Sequence, residues 1–558
     1  MRTYKPLSDN IWYITAIIIY IFIVHGFLLI NDGIYWDDWL WINPTNNHLE
    51  IDRMVSAANE MGTVITFWLH IWLVEFLGYR IVTFIAIIIA GILVFLIGQH
   101  KKILDHSDAL FVALITVSYP AFQTWILLST ANYVFYYALF LLGVFISLKS
   151  EIYRGTLRII LVAFAILLFF LSFNLNSLLV FYFGFLLLLF CLNYRHNGLS
   201  WKQALILFIS RRLYLIFLPF IYWIVKEVFF PSHGLYADYN RFTFSPFKLL
   251  HNIILFIYCG VYKQFNTALV ELNRQPGLWL FVLLAVSVWY AKFKGDMVHS
   301  SETSETLVKP HSLLAYGFLL MGLGMFPYIV VGLSPSLAGW GTRHSLLLAL
   351  PIALIIVALA RLLFRSSEGN LSRIGWMFLT TLLLAFSIAT VSSYIGWQAR
   401  WVKDRSVMVN LTRLDGAKYY SVYWVNDQYR LGGENNYRFY EWSSIFKKVW
   451  GDETRIGFDQ RYPDSKMLED NKTYFNKCYN LKNFDPAGCQ VLLAIRQGVL
   501  DGSAFSLVGR YYYYKFLRPQ QMDDFLIKVT DIQIQPLSSP MAANYKGNPE
   551  GKIDYPDK

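Results

Sequence analysis

Two adjacent carboxylates, Asp37 and Asp38, lie in the sequence Tyr35-Trp36-Asp37-Asp38-Trp39, shortly beyond the first apolar stretch of the chain. Carboxylates are expensive near hydrocarbon, so their presence there indicates a use. A carboxylate can accept a proton from an attacking hydroxyl, and a second one beside it raises one pKa toward a useful range. The flanking rings suit stacking on sugars. A belt of interfacial aromatic residues with two solvated acids would have the same sequence.

A second group of polar residues is Gly339-Trp340-Gly341-Thr342-Arg343-His344, at the start of a later apolar stretch. Arg343 offers a planar fork of donors and His344 a further donor, which suits a phosphate at the membrane surface. An arginine that snorkels at a helix end is the alternative. Because an arginine in an outer loop runs against the usual charge bias, the pattern favours phosphate binding.

Three further residues are candidates for ligand contact. Arg241 is a second candidate for a lipid phosphate, and Trp340 joins Tyr35, Trp36 and Trp39 as a candidate sugar contact. His70, in an apolar stretch, is interpreted as a polar lining residue of the acceptor site rather than a metal ligand. The sequence has no P-loop, no dinucleotide-binding glycine motif and no zincin motif, which argues against nucleotide-driven chemistry.

The composition places these residues in a membrane protein. The chain has 558 residues, of which 56% are hydrophobic and 15% charged, whereas soluble domains are about 25% charged. The formal net charge is +11. Its basic residues cluster at the ends of apolar stretches, which indicates membrane orientation and anionic headgroups as the reason for the charge rather than nucleic acid.

Apolar stretches of about 20 residues predict transmembrane helices. Eleven are predicted, at 11–30, 80–98, 109–127, 131–148, 157–173, 176–192, 213–230, 277–291, 312–331, 345–363 and 375–396. Lys and Arg in alternate loops, such as Lys101 and Lys102, place the N-terminus in the cytoplasm. The first outer loop is then 31–79, with interfacial helices at Leu49–Met61 and Val64–Leu77. The stretch 247–262 is expected to insert only partly, since a full crossing would invert the later loops.

Residues 397–558 are polar and predict a small mixed α/β domain outside the membrane, following a transmembrane module of residues 1–396. Strands are expected at Tyr419–Val425, Phe505–Phe516 and Phe525–Ile534. Aromatic residues that could hold a glycan there are Tyr423, Trp424, Tyr440 and Trp442.

The acidic pair in the first outer loop, the interfacial helices, about eleven spans and the outer C-terminal domain together resemble the GT-C superfamily of membrane glycosyltransferases. The layout is also similar to bacterial glucosyltransferases that decorate O-antigen. The resemblance implies an all-α, multi-pass fold in the bacterial inner membrane, with the C-terminal domain in the periplasm. It implies a polyprenyl-phosphate sugar as donor and a glycan or lipid-linked acceptor of the cell envelope, such as lipopolysaccharide.

Carried onto this chain, the resemblance makes an aspartate of the Tyr35–Trp39 cluster the base and Arg343 the group that binds the donor phosphate. We expect Asp38 to be the base and Asp37 to position the acceptor or a cation. The reaction requires no cofactor, although two adjacent carboxylates can bind a divalent cation. A glycan polymerase or ligase that uses lipid-linked sugars is one alternative, favoured by Arg241, Arg343 and His344. A transporter or flippase for a lipid-linked glycan is the other, and it would place ionisable residues inside the spans.

Overall fold

The computed structural model describes residues 10–197, 200–237, 241–242, 245–274, 308–364, 371–431, 437–451, 454–460, 489–500 and 502–537. The chain divides into two compact units. The helical unit consists of Met1–Asn31 and Met54–Tyr394, and the mixed unit consists of Asp32–Arg53 and Ile395–Lys558. The predicted first outer loop, 31–79, is therefore divided between the two units.

The helices and strands are numbered here in chain order. The α-helices of the described residues are α1 Ile11–His25, α2 Phe27–Ile30, α3 Asp38–Trp41, α4 Ile51–Glu60, α5 Val64–Leu77, α6 Tyr79–Gln99, α7 His106–Ser118, α8 Leu128–Ser150, α9 Gly155–Ser172, α10 Ser177–Asn197, α11 Trp201–Phe229, α12 Pro246–Ile257, α13 Lys263–Arg274, α14 Pro310–Val330, α15 Ala349–Leu363, α16 Arg373–Arg413, α17 Phe439–Trp450, α18 Ala504–Leu517 and α19 Met522–Ile527. The strands are β1 Val422–Asp427, β2 Ile456–Asp459, β3 Gln490–Gln497 and β4 Thr530–Pro536.

The helical unit has the length and polarity of a multi-pass membrane protein. Among the described residues, eight helical segments are long and apolar enough to cross a membrane, namely Tyr79–Lys102, Leu128–Ser150, Gly155–Ser172, Trp201–Phe229, Pro246–Arg274, Pro310–Val330, Gly339–Leu363 and Arg373–Arg413. Large apolar side chains such as Ile159 and Ile206 point outward, with 70% and 69% of their surface exposed. Lipid contact accounts for this exposure, since water would disfavour it.

Two of the predicted spans contain shorter helices than expected. The stretch 11–30 forms α1 and α2, which are separated at Gly26, and 109–127 forms only α7. Helix α7 ends at Ser118, just before Tyr119 and Pro120, because a residue that precedes proline is disfavoured in the helical region. The predicted span 176–192 corresponds to the apolar part of α10, Ser177–Leu192. The predicted span 277–291 lies outside the described residues.

The stretch 247–262, expected to insert only partly, belongs to a longer helical segment. Helices α12 and α13 are joined by a π-helical turn at Tyr258–Tyr262, and the segment Pro246–Arg274 is among the eight that could cross a membrane. Two predicted interfacial segments are confirmed as helices, with α5 at the expected residues and α4 slightly shorter than expected.

The mixed unit contains a four-stranded sheet in the order β2-β1-β3-β4. Strand β1 pairs in parallel with β2 and β3, whereas β4 is antiparallel to β3. Helix α17 packs on this sheet, and Trp424, Phe439 and Phe458 form part of the core between them. The expectation of a small mixed sheet in this part of the chain is confirmed.

One of the predicted strands is a helix in the structure, and another is a strand over only part of its predicted length. Phe505–Phe516 lies within α18. Ser503 caps the start of this helix, because its side chain accepts a hydrogen bond from the Ser506 amide. Its buried residues Leu507, Val508 and Tyr511 have helical spacing, so packing outweighs the strand propensity of the tyrosine run. Phe525–Ile534 begins within α19 and becomes a strand only at Thr530.

Candidate functional site

The acidic cluster forms a tight turn in the mixed unit that leads into α3. The Asp38 amide donates to the Tyr35 carbonyl over 3.0 Å, and the Trp39 amide donates to the Trp36 carbonyl over 3.1 Å. Trp36 has a φ of 50°. This left-handed conformation costs a non-glycine residue about 1–3 kcal/mol, so the surroundings must hold it in place.

Glu441 on α17 is the group that holds Trp36. Its Oε2 accepts the Trp36 amide over 3.0 Å, and its Oε1 accepts the Arg438 amide over 3.0 Å. Arg400 on α16 donates to the same Oε2 over 2.5 Å, and the Glu441 side chain is fully buried. A buried carboxylate requires this many donors, because desolvation would otherwise disfavour its charge. Glu441 thus fixes the backbone immediately before the aspartate pair.

The two aspartates differ in exposure and partners. Asp37 is partly exposed, and its carboxylate accepts a hydrogen bond from the hydroxyl of Tyr440 on α17. Asp38 is completely buried at the first position of α3. Among the described residues, no group of three or more His, Cys, Asp or Glu side chains could hold a metal ion. The divalent cation expected from the sequence stays a prediction.

A row of buried charges lies along α16 in the mixed unit. Lys403 pairs with Asp427 over 2.6 Å, with neither side chain exposed. Tyr437 donates to Asp404 over 2.5 Å, and the Arg400 guanidinium lies 4.1 Å from the centre of the Tyr437 ring. Each charge in this row therefore has a partner, which offsets the cost of removing it from water.

Asp32 anchors the chain ahead of the acidic turn. Its carboxylate accepts from Tyr511 over 2.6 Å, from Lys515 over 2.9 Å and from Gln398 over 3.1 Å. Burial alone would raise the pKa of Asp32, but the hydrogen bonds and the Lys515 charge outweigh burial and lower this pKa below its usual range. Asp32 is thus ionised at neutral pH and ties the segment to α16 and α18.

Lys448 on α17 anchors the chain beyond the acidic turn. It donates to the Pro44 carbonyl over 2.7 Å and to Asn47 over 2.9 Å, and burial lowers its pKa. A cavity of about 40 Å³ lies nearby, between Trp39, Tyr440 and other residues of the same unit. Ligand pockets are usually about 300–1,000 Å³. A sugar therefore would not fit inside this cavity.

Three of the rings predicted to stack on sugars, Tyr35, Trp36 and Trp39, are packing groups in this structure. Tyr35 and Trp39 are almost fully buried and contact Trp397 and Trp401, with ring centres 5.1 and 6.1 Å apart. Trp36 is buried as well.

Three of the four predicted glycan-binding residues of the C-terminal domain have the same role. Tyr423, Trp424 and Trp442 are buried in the core of the mixed unit, and Tyr440 alone among these four residues is partly exposed. A buried ring has no open face for a substrate, so Tyr423, Trp424 and Trp442 pack the core, and glycan contact at Tyr440 stays a prediction.

In the helical unit, Arg343 and His344 lie in a 3₁₀ helix, Gly339–Leu348, and both are mostly buried. Arg343 donates to the Trp340 carbonyl over 3.1 Å and stacks on the Trp340 ring at 4.2 Å. His344 Nδ1 lies 3.0 Å from the Ser334 carbonyl oxygen. A Cβ on Gly341 would lie 2.5 Å from the Ser336 hydroxyl, so this glycine permits close approach within the chain.

The remaining predicted ligand contacts also lie in the helical unit. His70 is 1% exposed and its ring lies near those of Phe67 and Phe135, 5.8 and 5.6 Å away. Within the described structure, its Nδ1 atom has no hydrogen-bond partner. Arg241 is exposed. The aspartate pair belongs to the mixed unit, whereas Arg241, Arg343, His344, Trp340 and His70 belong to the helical unit.

Sequence reasoning missed Glu441 and Arg400, which hold the acidic turn, and Lys403, which lies on the same helix as Arg400 and pairs with Asp427. A signal for the last two was present, because Arg400, Lys403 and Asp404 share one face of α16 with Trp397 and Trp401. Charges at i, i+3 and i+4 on a face lined with indoles indicate buried partners. No comparable signal marks Glu441, whose partners are far away in the sequence.

Comparison with known proteins finds no matching family model, no matching curated protein and no matching solved structure.

Proposed function

We propose that the chain is a membrane glycosyltransferase of the GT-C type, which moves a sugar from a polyprenyl-phosphate donor to a cell-envelope glycan or lipid-linked acceptor outside the cytoplasm. The observation that carries the proposal is the strained turn at Trp36, held by buried Glu441 beside two aspartates. Backbone strain of this kind is concentrated at functional sites.

We assign proton acceptance to Asp37, because its carboxylate is partly exposed whereas Asp38 is completely buried. Asp37 takes the proton of the acceptor hydroxyl as that oxygen bonds to the anomeric carbon. The bond from this carbon to the phosphate oxygen breaks, and polyprenyl phosphate leaves. The configuration at the anomeric carbon is thereby inverted. Tyr440 orients the carboxylate through its hydrogen bond. The step needs no cofactor and no nucleotide, which is absent outside the cytoplasm.

The donor phosphate is assigned to Arg343, with His344 and Arg241 as additional cationic or polar contacts. The proposed topology has about eleven spans, a cytoplasmic N-terminus and an outer C-terminal domain in a bacterial inner membrane. Arg343 already stacks on Trp340, which orients its guanidinium plane. Arg343→Ala is expected to raise the KM for the donor more than it lowers kcat.

The test uses the full-length protein in liposomes, with polyprenyl-phosphate hexose and candidate glycan acceptors. Asp37→Asn is expected to slow transfer by about 10²–10⁴-fold, as for loss of a general base. Asp38→Asn is compared with it, and Asp52→Asn, an exposed acid in the same chain segment, is the matched control. Full activity in both Asp37→Asn and Asp38→Asn would exclude the mechanism. Lipid translocation without transfer would instead favour a flippase, and lengthening of a lipid-linked glycan would favour a polymerase or ligase.

A further inference from the structure

A cavity of about 660 Å³ lies within the helical unit, far larger than the one near the acidic turn. Its walls come from α6, α8, α10, α14 and α15 and are almost entirely apolar, as at Phe140, Leu141 and Phe185. The Tyr316 hydroxyl in the wall donates to the Gly184 carbonyl over 3.0 Å. With that hydroxyl satisfied, the wall suits a hydrocarbon chain, and the volume is typical of a ligand pocket.

The charged residues that line the cavity are Lys101 and Lys102, on the short turn after α6. Within the described part of the chain, neither ammonium makes a hydrogen bond or an ion pair. The nearest acids in sequence, Asp105 and Asp108, both pair with Arg361. The two lysines therefore bring positive charge to the lining of an apolar cavity, and no carboxylate of the described residues pairs with them.

Both lysines adopt left-handed backbone conformations, with φ of 50° and 56°. The negative end of the α6 dipole would attract cations to this position, but it does not require a strained backbone. Two successive non-glycine residues in this region are unusual, and such strain commonly marks a ligand site. Charge and strain thus coincide in two residues that line the same cavity.

We propose that this cavity binds the hydrocarbon tail of an anionic phospholipid, with the headgroup phosphate held by Lys101 and Lys102. The loop that contains these lysines is predicted to face the cytoplasm, where anionic headgroups attract basic residues. The sugar donor is proposed to act on the opposite side, so the site is distinct from donor binding. The occupant has an apolar tail, a negative headgroup and a position in the inner leaflet.

The test places the delipidated full-length protein in nanodiscs that contain phosphatidylglycerol with a photoreactive acyl chain. Cross-links are expected on peptides of α8, α10 and α14, and they should weaken by roughly tenfold in Lys101→Gln/Lys102→Gln. Lys202→Gln, an exposed cation on α11, is the matched control and should leave the cross-links unchanged. Leu141→Trp, which fills the cavity, should remove cross-links at these helices.

Three results would overturn the proposal. Equal cross-linking by phosphatidylcholine would show that headgroup charge has no role. Preferential displacement of phosphatidylglycerol by polyprenyl phosphate would identify an isoprenoid lipid as the occupant. Cross-links confined to the outer surfaces of the helices would show that the cavity does not admit a tail, and this readout is independent of whether Leu141→Trp folds.

Discussion

The two units place polar and apolar groups in opposite ways. The helical unit exposes large apolar side chains, such as Leu167 on α9 with 51% of its surface exposed. The mixed unit instead buries charges, with Lys403, Asp404 and Glu441 showing no exposure. Apolar exposure is stable only in lipid, and buried charge is stable only with partners. Exposure to lipid therefore governs the surface of one unit, and charge pairing governs the interior of the other.

The difference shows where the sequence of each unit tolerates change. A lipid-facing position requires only an apolar side chain, so many residues are acceptable there. A buried ion pair specifies both partners and their geometry, because either partner alone would be an unpaired buried charge. The most specific part of the molecule is therefore the row of charges along α16, and this row adjoins the acidic turn.

The largest effect is expected for Glu441→Gln, which keeps the shape of the side chain but removes its charge. Arg400 would lose its buried partner, and loss of one member of such a pair costs about 3–5 kcal/mol. Limited proteolysis of the mixed unit and thermal unfolding measure the loss. Asp524→Asn, an exposed acid on α19, is the control and should change stability little. Stability equal to wild type would show that Arg400 does not depend on Glu441.

The Lys403–Asp427 pair allows a sharper test of the buried row. Lys403→Met should also destabilise by about 3–5 kcal/mol, since it leaves Asp427 buried without its cation. The double variant Lys403→Met/Asp427→Leu should recover much of this loss, because an apolar pair avoids the cost of desolvation. A double-mutant cycle of unfolding free energies measures the coupling. If the two single effects simply add, the pair is not coupled as the 2.6 Å contact implies.

The helical unit should respond in the opposite way to an added charge. Leu167→Asp places a carboxylate on a lipid-facing position of α9, which is expected to cost about 2.5–3.5 kcal/mol in membrane insertion. Leu167→Ile, which stays apolar, is the control. The fraction of glycosylated or protease-protected chain in an insertion assay measures the effect. Normal insertion of Leu167→Asp would mean that this face contacts protein or water rather than lipid.

Sequence reasoning was most successful where the local sequence alone determines the secondary structure. The apolar stretch Val64–Leu77 predicted α5 at its observed bounds, because this helix depends mainly on its local sequence. It was wrong for Phe505–Phe516, where contacts of Tyr511 with distant residues such as Asp32 accompany a helix that propensity disfavours. The continuation of α16 to Arg413 was also missed. The charged residues of its second half are typical of a loop, and their buried partners Asp427 and Glu441 lie further along the sequence.

The candidate site shows the same limit. The acidic pair was visible from residue type alone, but the exposure of Asp37 and the burial of Asp38 depend on how the turn at Trp36 is held. Glu441 holds that turn from a position about 400 residues away in the chain. Long-range contacts of this kind have no local sequence period, so composition and spacing cannot reveal them.

The smallest effect is expected at Asp32, which is 31% exposed and is paired with Lys515. Asp32→Asn should destabilise by about 1 kcal/mol at neutral pH, as for a partly exposed pair. Because the folded pKa of Asp32 is lowered from 3.8, its contribution is complete above that value and is lost as pH falls through the folded pKa. The Tm difference between wild type and variant should therefore shrink below about pH 4. A difference that persists unchanged at lower pH would mean that the hydrogen bond with Tyr511, rather than the charge of Asp32, ties this segment to α18.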